Sequence, residues 1–85
     1  MYSISFTKSA DRTLRTLPRE MARRLRERLG QIAENPCAQH SNVTKLRNRP
    51  GYRLRVGDWR VIYEIENEEL VILVLRIGPR GGVYR

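Results

Sequence analysis

Eighty-five residues allow one small domain with a single core, and a chain that is 40% hydrophobic and 31% charged reads as globular rather than disordered. The formal charge is +8, from 17 Lys and Arg against 9 Asp and Glu, and only Lys8 and Lys45 are lysines. That arginine bias favours phosphate or carboxylate partners, because guanidinium offers planar two-pronged hydrogen bonds.

Several classes fall away at once. No apolar run approaches the length of a membrane span, and Met1 to Phe6 carries no basic segment followed by an apolar one, so neither a membrane protein nor a secreted one is expected. Cys37 is the only cysteine, which rules out an internal disulfide and fits a cytoplasmic location.

In chain order, Tyr2, Ile4 and Phe6 alternate with serines, predicting a short strand with one buried face. Thr7 or Ser9 can cap a short helix whose stripe is Ala10, Leu14 and Leu17. Pro18 ends it and suits the first turn of a second helix reaching about Glu34, with Met21, Ala22, Leu25, Leu29, Ile32 and Ala33 on one side. Arg19, Arg23, Arg24, Arg26 and Arg28 cover the rest of that helix, with Glu20 and Glu27 as partners, and this face reads as solvated or as a nucleic-acid contact. Asn35-Pro36 stops the helix. Pro36 to Gly51 reads as a long connection anchored by Val43 and Leu46, whose second half brings Lys45, Arg47 and Arg49 up to the next strand. These groups are either a nucleic-acid contact or part of a polar loop.

Tyr52 to Tyr63 is the most informative stretch. It alternates across Gly57-Asp58, which predicts two antiparallel strands joined by a two-residue turn. Val56 then lies opposite Trp59, Arg55 opposite Arg60 and Leu54 opposite Val61. Tyr52, Leu54, Val56, Trp59, Val61 and Tyr63 share one face, while Arg53, Arg55 and Arg60 share the other. Like charges directly opposite each other are unfavourable on a sheet, so the pattern implies an anion at that face.

The last strand, Leu70 to Ile77, admits two registers. A two-residue turn at Asn67-Glu68 would pair Ile62 with Leu73 and put Arg76 in the core. A three-residue loop, Asn67 to Glu69, pairs Arg60 with Arg76 and buries Val71, Leu73, Leu75 and Ile77; the cost of a buried unpaired arginine selects it. Gly78-Pro79 ends the strand, and Gly81-Gly82 lets the tail bend so that Arg80 and Tyr84 can reach the sheet. The whole is expected to be one α+β domain over residues 1–85, an N-terminal strand and helical hairpin packed on a mainly antiparallel sheet.

The residues support no metal centre, no Ser-His-Asp set and no nucleotide cradle, since His40 and Cys37 stand alone and no Gly-rich loop leads from a strand into a helix. No cofactor is expected. What remains is an arginine cluster (Arg53, Arg55, Arg60, Arg80, with Arg76 as a further candidate) and Tyr84. Such a set suits stabilisation of a pentacovalent phosphorane, with RNA supplying its own 2′-hydroxyl as nucleophile. Arginine is a poor general base, whereas a tyrosine among arginines can have its pKa depressed, so Tyr84 is the candidate base; its other reading is that it packs the tail down.

Lys45-Leu46-Arg47, Tyr52-Arg53-Leu54-Arg55, Gly57 to Tyr63, and Val74 to Arg80 with Tyr84 following form an ordered set that resembles the RelE-type toxins of the RelE/ParE toxin–antitoxin superfamily along essentially the whole chain. The resemblance implies a RelE-like fold and a metal-independent endoribonuclease that enters the ribosomal A site and cleaves mRNA by 2′-hydroxyl attack, inhibiting translation. It implies a cognate antitoxin and a toxin–antitoxin hetero-oligomer. By position, Arg60 and Arg80 match phosphate-binding and transition-state arginines, and Tyr84 matches the general base. Arg53 and Arg55 match RNA-contacting basic residues that are often lysines, and Lys45, Arg47 and Arg49 extend that contact. Pro79 stands where many relatives carry a histidine or other polar residue, and Gly81-Gly82 replaces a usually charged pair. The alternatives are a ParE-like DNA gyrase inhibitor without nuclease activity and an inactive antitoxin-binding relative.

Overall fold

The computed structural model describes residues 1–79; Arg80 and Tyr84 lie outside them. The chain runs β1 (Ser3–Phe6), α1 (Lys8–Thr16), α2 (Arg19–Glu34), β2 (Val43–Lys45), β3 (Tyr52–Val56), β4 (Trp59–Glu66) and β5 (Val71–Pro79). The five strands form one sheet in the order β1-β5-β4-β3-β2, antiparallel except for β1, which runs parallel to β5. The expected α+β architecture is the one observed.

Both helices pack on the same sheet face. Ala10, Leu14 and Leu17 from the α1 stripe and Leu25, Leu29, Ile32 and Ala33 from α2 share one buried cluster with Leu54, Val56, Val61, Tyr63, Ile72, Val74 and Ile77. Each fully buried Leu or Ile there contributes about 1.5–3 kcal/mol relative to exposure. Thr7 caps α1 as expected, its hydroxyl oxygen accepting from the Ala10 N–H, and Pro18 precedes the first turn of α2.

Tyr63 is buried in this core and stacks on Tyr52, with ring centroids 5.5 Å apart. Burial, and secondarily the neighbouring Tyr52, pushes the Tyr63 phenol up to about 12. A folded-state pKa above the unfolded value of about 10 means the native state holds this proton more tightly. Its contribution is complete below pH 10 and is lost as pH climbs toward 12, by roughly 2–3 kcal/mol in total. Stability of Tyr63→Phe is therefore expected to fall less steeply between pH 10 and 12 than that of the parent in urea titrations. Parallel curves would show that Tyr63 is not the group responsible.

The β3–β4 hairpin has the register expected from its alternation, including Arg55 opposite Arg60. Three features differ. β5 runs on through Gly78 and Pro79, opposite Arg60 and Trp59, where the sequence predicts its end. The connection after α2 contains the three-residue edge strand β2, held antiparallel to β3 with Thr44 opposite Arg53. The β4–β5 register also departs from the three-residue loop: Arg60 faces Gly78 and Arg76 faces Ile62, while Tyr63 faces Val74 and Ile65 faces Ile72. The shift between Ile62 and Tyr63 leaves Leu75 as the extra residue of a β-bulge.

The bulge resolves the conflict that the two simple registers pose. It places Ile72 and Val74 in the core, reverses the alternation once, and still keeps Arg76 out while Ile77 goes in. Val71, Leu73 and Leu75 are therefore only half-buried. The carbonyl of Leu75 accepts a hydrogen bond from the Thr7 hydroxyl at 2.7 Å, so one threonine both caps α1 and satisfies the bulge.

Candidate nucleic-acid interface

The helices cover one sheet face, so alternation leaves Arg53, Arg55, Arg60 and Arg76 on the opposite one. Two cross-strand rows result: Thr44, Arg53, Ile62 and Arg76 form one, and Arg55, Arg60 and Gly78 the other. Ile62 is only 3% exposed yet lies outside the main core cluster, flanked in its row by two arginines whose methylene stems can cover it. Gly78 places no side chain beside Arg60.

Two of the helix arginines are engaged by carboxylates. On α1, Arg15 pairs with Asp11 at 3.0 Å, and on α2, Arg23 lies between Glu20 and Glu27. The hydrogen bond and charge of Arg23 hold the Glu20 carboxyl below its usual range, and the two glutamates raise the guanidinium in return. Arg55 and Arg60 form no ion pair with any described carboxylate. Arg60 instead donates to the main-chain oxygens of Gly57 and Trp59, at 3.4 and 3.3 Å, and Arg55 donates to the side-chain oxygen of Asn42 at 3.3 Å. Their charges are oriented by neutral acceptors and remain available to a ligand.

Asn42, Thr44, Arg53, Arg55 and Arg60 line a concavity of about 240 Å³. A second, of about 390 Å³, is lined by Thr44, Lys45, Leu46, Arg47, Arg49 and Arg53. Thr44 and Arg53 line both, so the two basic concavities adjoin at β2 and β3. The loop between these strands is braced: the Leu46 N–H donates to the Gly51 carbonyl at 3.0 Å, and Asn48 and Gly51 adopt positive φ. A wider depression of about 460 Å³ includes Glu64 and Glu66 and the exposed Cys37. Its carboxylates repel a polyanion, so size does not identify the site.

The structure thus brings together Arg53, Arg55 and Arg60, and sets Lys45, Arg47 and Arg49 alongside them. Arg80 and Tyr84 fall outside the described residues, while Pro79 lies opposite Trp59, next along β4 from Arg60. Sequence reasoning missed Asn42 and Thr44. Thr44 enters the site only through the unrecognised strand β2, and Asn42 through a contact thirteen residues away along the chain. Among the described residues no three of His, Cys, Asp and Glu gather as a group able to hold a metal ion, and no helix is long and apolar enough to cross a membrane.

The family described as the ParE toxin of type II toxin-antitoxin system, parDE, matches residues 4–84. Toxin RelG of Mycobacterium tuberculosis is 29% identical over 86 residues, covering 99% of this chain and 97% of that protein. The mRNA interferase toxin RelE of Escherichia coli K12 is 27% identical over 82 residues, covering 93% of this chain and 83% of that one. Among solved structures, the archaeal RelE–RelB complex from Pyrococcus horikoshii OT3 contains a chain that superposes with a TM-score of 0.79 at 32% identity, covering 95% of this chain and 97% of that one.

Proposed function

The chain belongs to the RelE/ParE superfamily of type II toxins as a RelE-type member, and we propose that it is a ribosome-dependent mRNA endonuclease held in check by a cognate antitoxin. The observation that carries this reading is the facing pair Arg55 and Arg60, oriented by neutral acceptors in one basic concavity. A relative carrying the name mRNA interferase supports the reaction class. A solved RelE–RelB complex supports a protein partner that, for this chain, would be its antitoxin.

In the proposed reaction the 2′-oxygen attacks the adjacent phosphorus and the bond to the 5′-oxygen breaks. The products are a 2′,3′-cyclic phosphate and a 5′-hydroxyl. Arg60 and Arg80 stabilise the charge that accumulates on the phosphorane oxygens. Tyr84 takes the 2′-hydroxyl proton, and a proton from solvent reaches the leaving oxygen. Arg53 and Arg55 hold the RNA backbone and favour the ionised form of the base. Lys45, Arg47 and Arg49, around the second concavity, hold a neighbouring phosphate. The ribosome presents the mRNA in its A site, where the phosphate is accessible.

The family's ParE name favours a second reading, a toxin that binds DNA gyrase and cuts nothing. The Arg55 and Arg60 pair, held by neutral acceptors, argues against it, because a protein-binding surface does not require one. Translation reactions with and without ribosomes separate the two. The nuclease reading expects mRNA cleavage only with ribosomes, lost in Tyr84→Phe. Intact mRNA together with gyrase-dependent DNA breaks would replace it, and antitoxin binding with neither activity would mark an inactive relative.

A further inference from the structure

The proposed site depends on Arg55 standing beside Arg60, and bringing two like charges together on a sheet is unfavourable without something to hold them. The turn before β2 supplies that hold. Its main chain is fixed from two sides: Arg28 of α2 donates to the Ser41 carbonyl at 2.5 Å, and the Arg55 N–H donates to the Asn42 carbonyl at 2.9 Å. Asn42 adopts φ +63, a left-handed conformation that asparagine tolerates better than most residues. On this frame its side-chain oxygen accepts from the Arg55 guanidinium. Arginine has only donors, so the amide must turn its oxygen, not its nitrogen, toward Arg55.

We infer that Asn42 is a positioning residue for RNA cleavage, an uncharged clamp that orients Arg55 toward the phosphate without cancelling its charge. The inference rests on the nuclease reading above. The choice of residue follows from the electrostatics. Aspartate has nearly the same shape, also tolerates left-handed backbone and would bind Arg55 more strongly. It would also convert Arg55 into a paired arginine like Arg15 or Arg23, whose carboxylate competes with the phosphate. Asparagine gives direction alone.

The test is steady-state cleavage of mRNA on programmed ribosomes by the full-length protein, with Asn42→Asp and Asn42→Gly made in the parent and in Arg55→Ala. Loss of one effective cation against single-stranded RNA lowers the salt slope of binding by about 0.7, equivalent to about fivefold weaker binding near 0.1 M salt. Asn42→Asp is expected to raise KM by about that factor and flatten its salt dependence accordingly. Asn42→Gly keeps the backbone conformation and the charge, so it is expected to raise KM by only about two- to threefold and leave the salt slope unchanged.

In the Arg55→Ala background neither substitution should have a further effect, because the clamp has nothing to hold. Effects that persist there undiminished would overturn the inference, as would an Asn42→Asp enzyme with parental KM and salt slope. If Arg55→Ala and Arg60→Ala are themselves silent, the nuclease assignment of the concavity fails and the inference fails with it. If those two impair cleavage while both Asn42 variants match the parent, only the inference is lost. Thermal unfolding of each variant separates a change of fold from a change of clamp.

Discussion

Arg60→Ala is expected to lower the rate constant for mRNA cleavage on the ribosome by about a hundred- to a thousandfold, the usual effect of removing one preorganised donor from a developing oxyanion. The fold should survive. Among the described residues Arg60 donates to two carbonyls of its own hairpin, at 3.3 and 3.4 Å, and these long contacts contribute little to stability. Arg60→Lys restores the charge but not the planar fork, so it should recover only part of the loss. Arg23→Ala provides the contrast: it removes the same formal charge from α2, where Glu20 and Glu27 already engage it, and should change the rate less than twofold. Equal losses from Arg23→Ala and Arg60→Ala would mean that net charge, rather than the sheet-face pair, drives activity.

Gly51→Ala is expected to destabilise the protein by about 2–4 kcal/mol, and to lower the midpoint of thermal unfolding by roughly 10 °C or more. Gly51 adopts φ +114, and a Cβ built on it would lie 2.9 Å from the carbonyl oxygen of Tyr63. That atom is β4 main chain, which cannot rotate aside as a flexible side-chain tip can. Relief requires moving β3 from β4 or opening the loop closed by the Leu46 to Gly51 hydrogen bond. Either movement displaces Arg53 and the loop carrying Arg47 and Arg49, so RNA affinity should fall with stability. Gly30→Ala, in the middle of α2 with nothing within 4 Å of the added Cβ, should instead raise stability by about 0.5–1 kcal/mol. A near-neutral Gly51→Ala would show that the strand approach is not a tight constraint.

The hairpin that supplies Arg53, Arg55 and Arg60 was legible because its alternation contrasts arginine with aromatic and aliphatic residues on either side of a Gly-Asp turn. The helices were legible for a similar reason: the stripe from Met21 to Ala33 and the stop at Asn35-Pro36 leave one reading. Val71 to Ile77 has no such contrast. It is apolar on both faces, so sliding it costs little in the pattern, and the bulge at Leu75 is signalled by no turn residue. Leu70 at φ +56 and 52% exposed lengthens the turn beyond the three residues that the arginine argument required. β2 escaped notice because Val43-Thr44-Lys45 is a strand only by virtue of pairing with β3. Asn42 escaped because its role exists only once β2 and β3 lie side by side. The roles of Arg80 and Tyr84 rest on position in the family pattern, since both lie outside the described residues.

Cleavage of mRNA at the ribosome by this domain is tested most directly by mapping the 5′ ends of fragments formed on ribosomes stalled at a defined A-site codon. The nuclease reading predicts cleavage at one fixed position within that codon, strictly dependent on ribosomes, with 2′,3′-cyclic phosphate ends and with the yield collapsing in Arg60→Ala. Full-length mRNA in the presence of active toxin, or cuts scattered without reference to the A site, would contradict it.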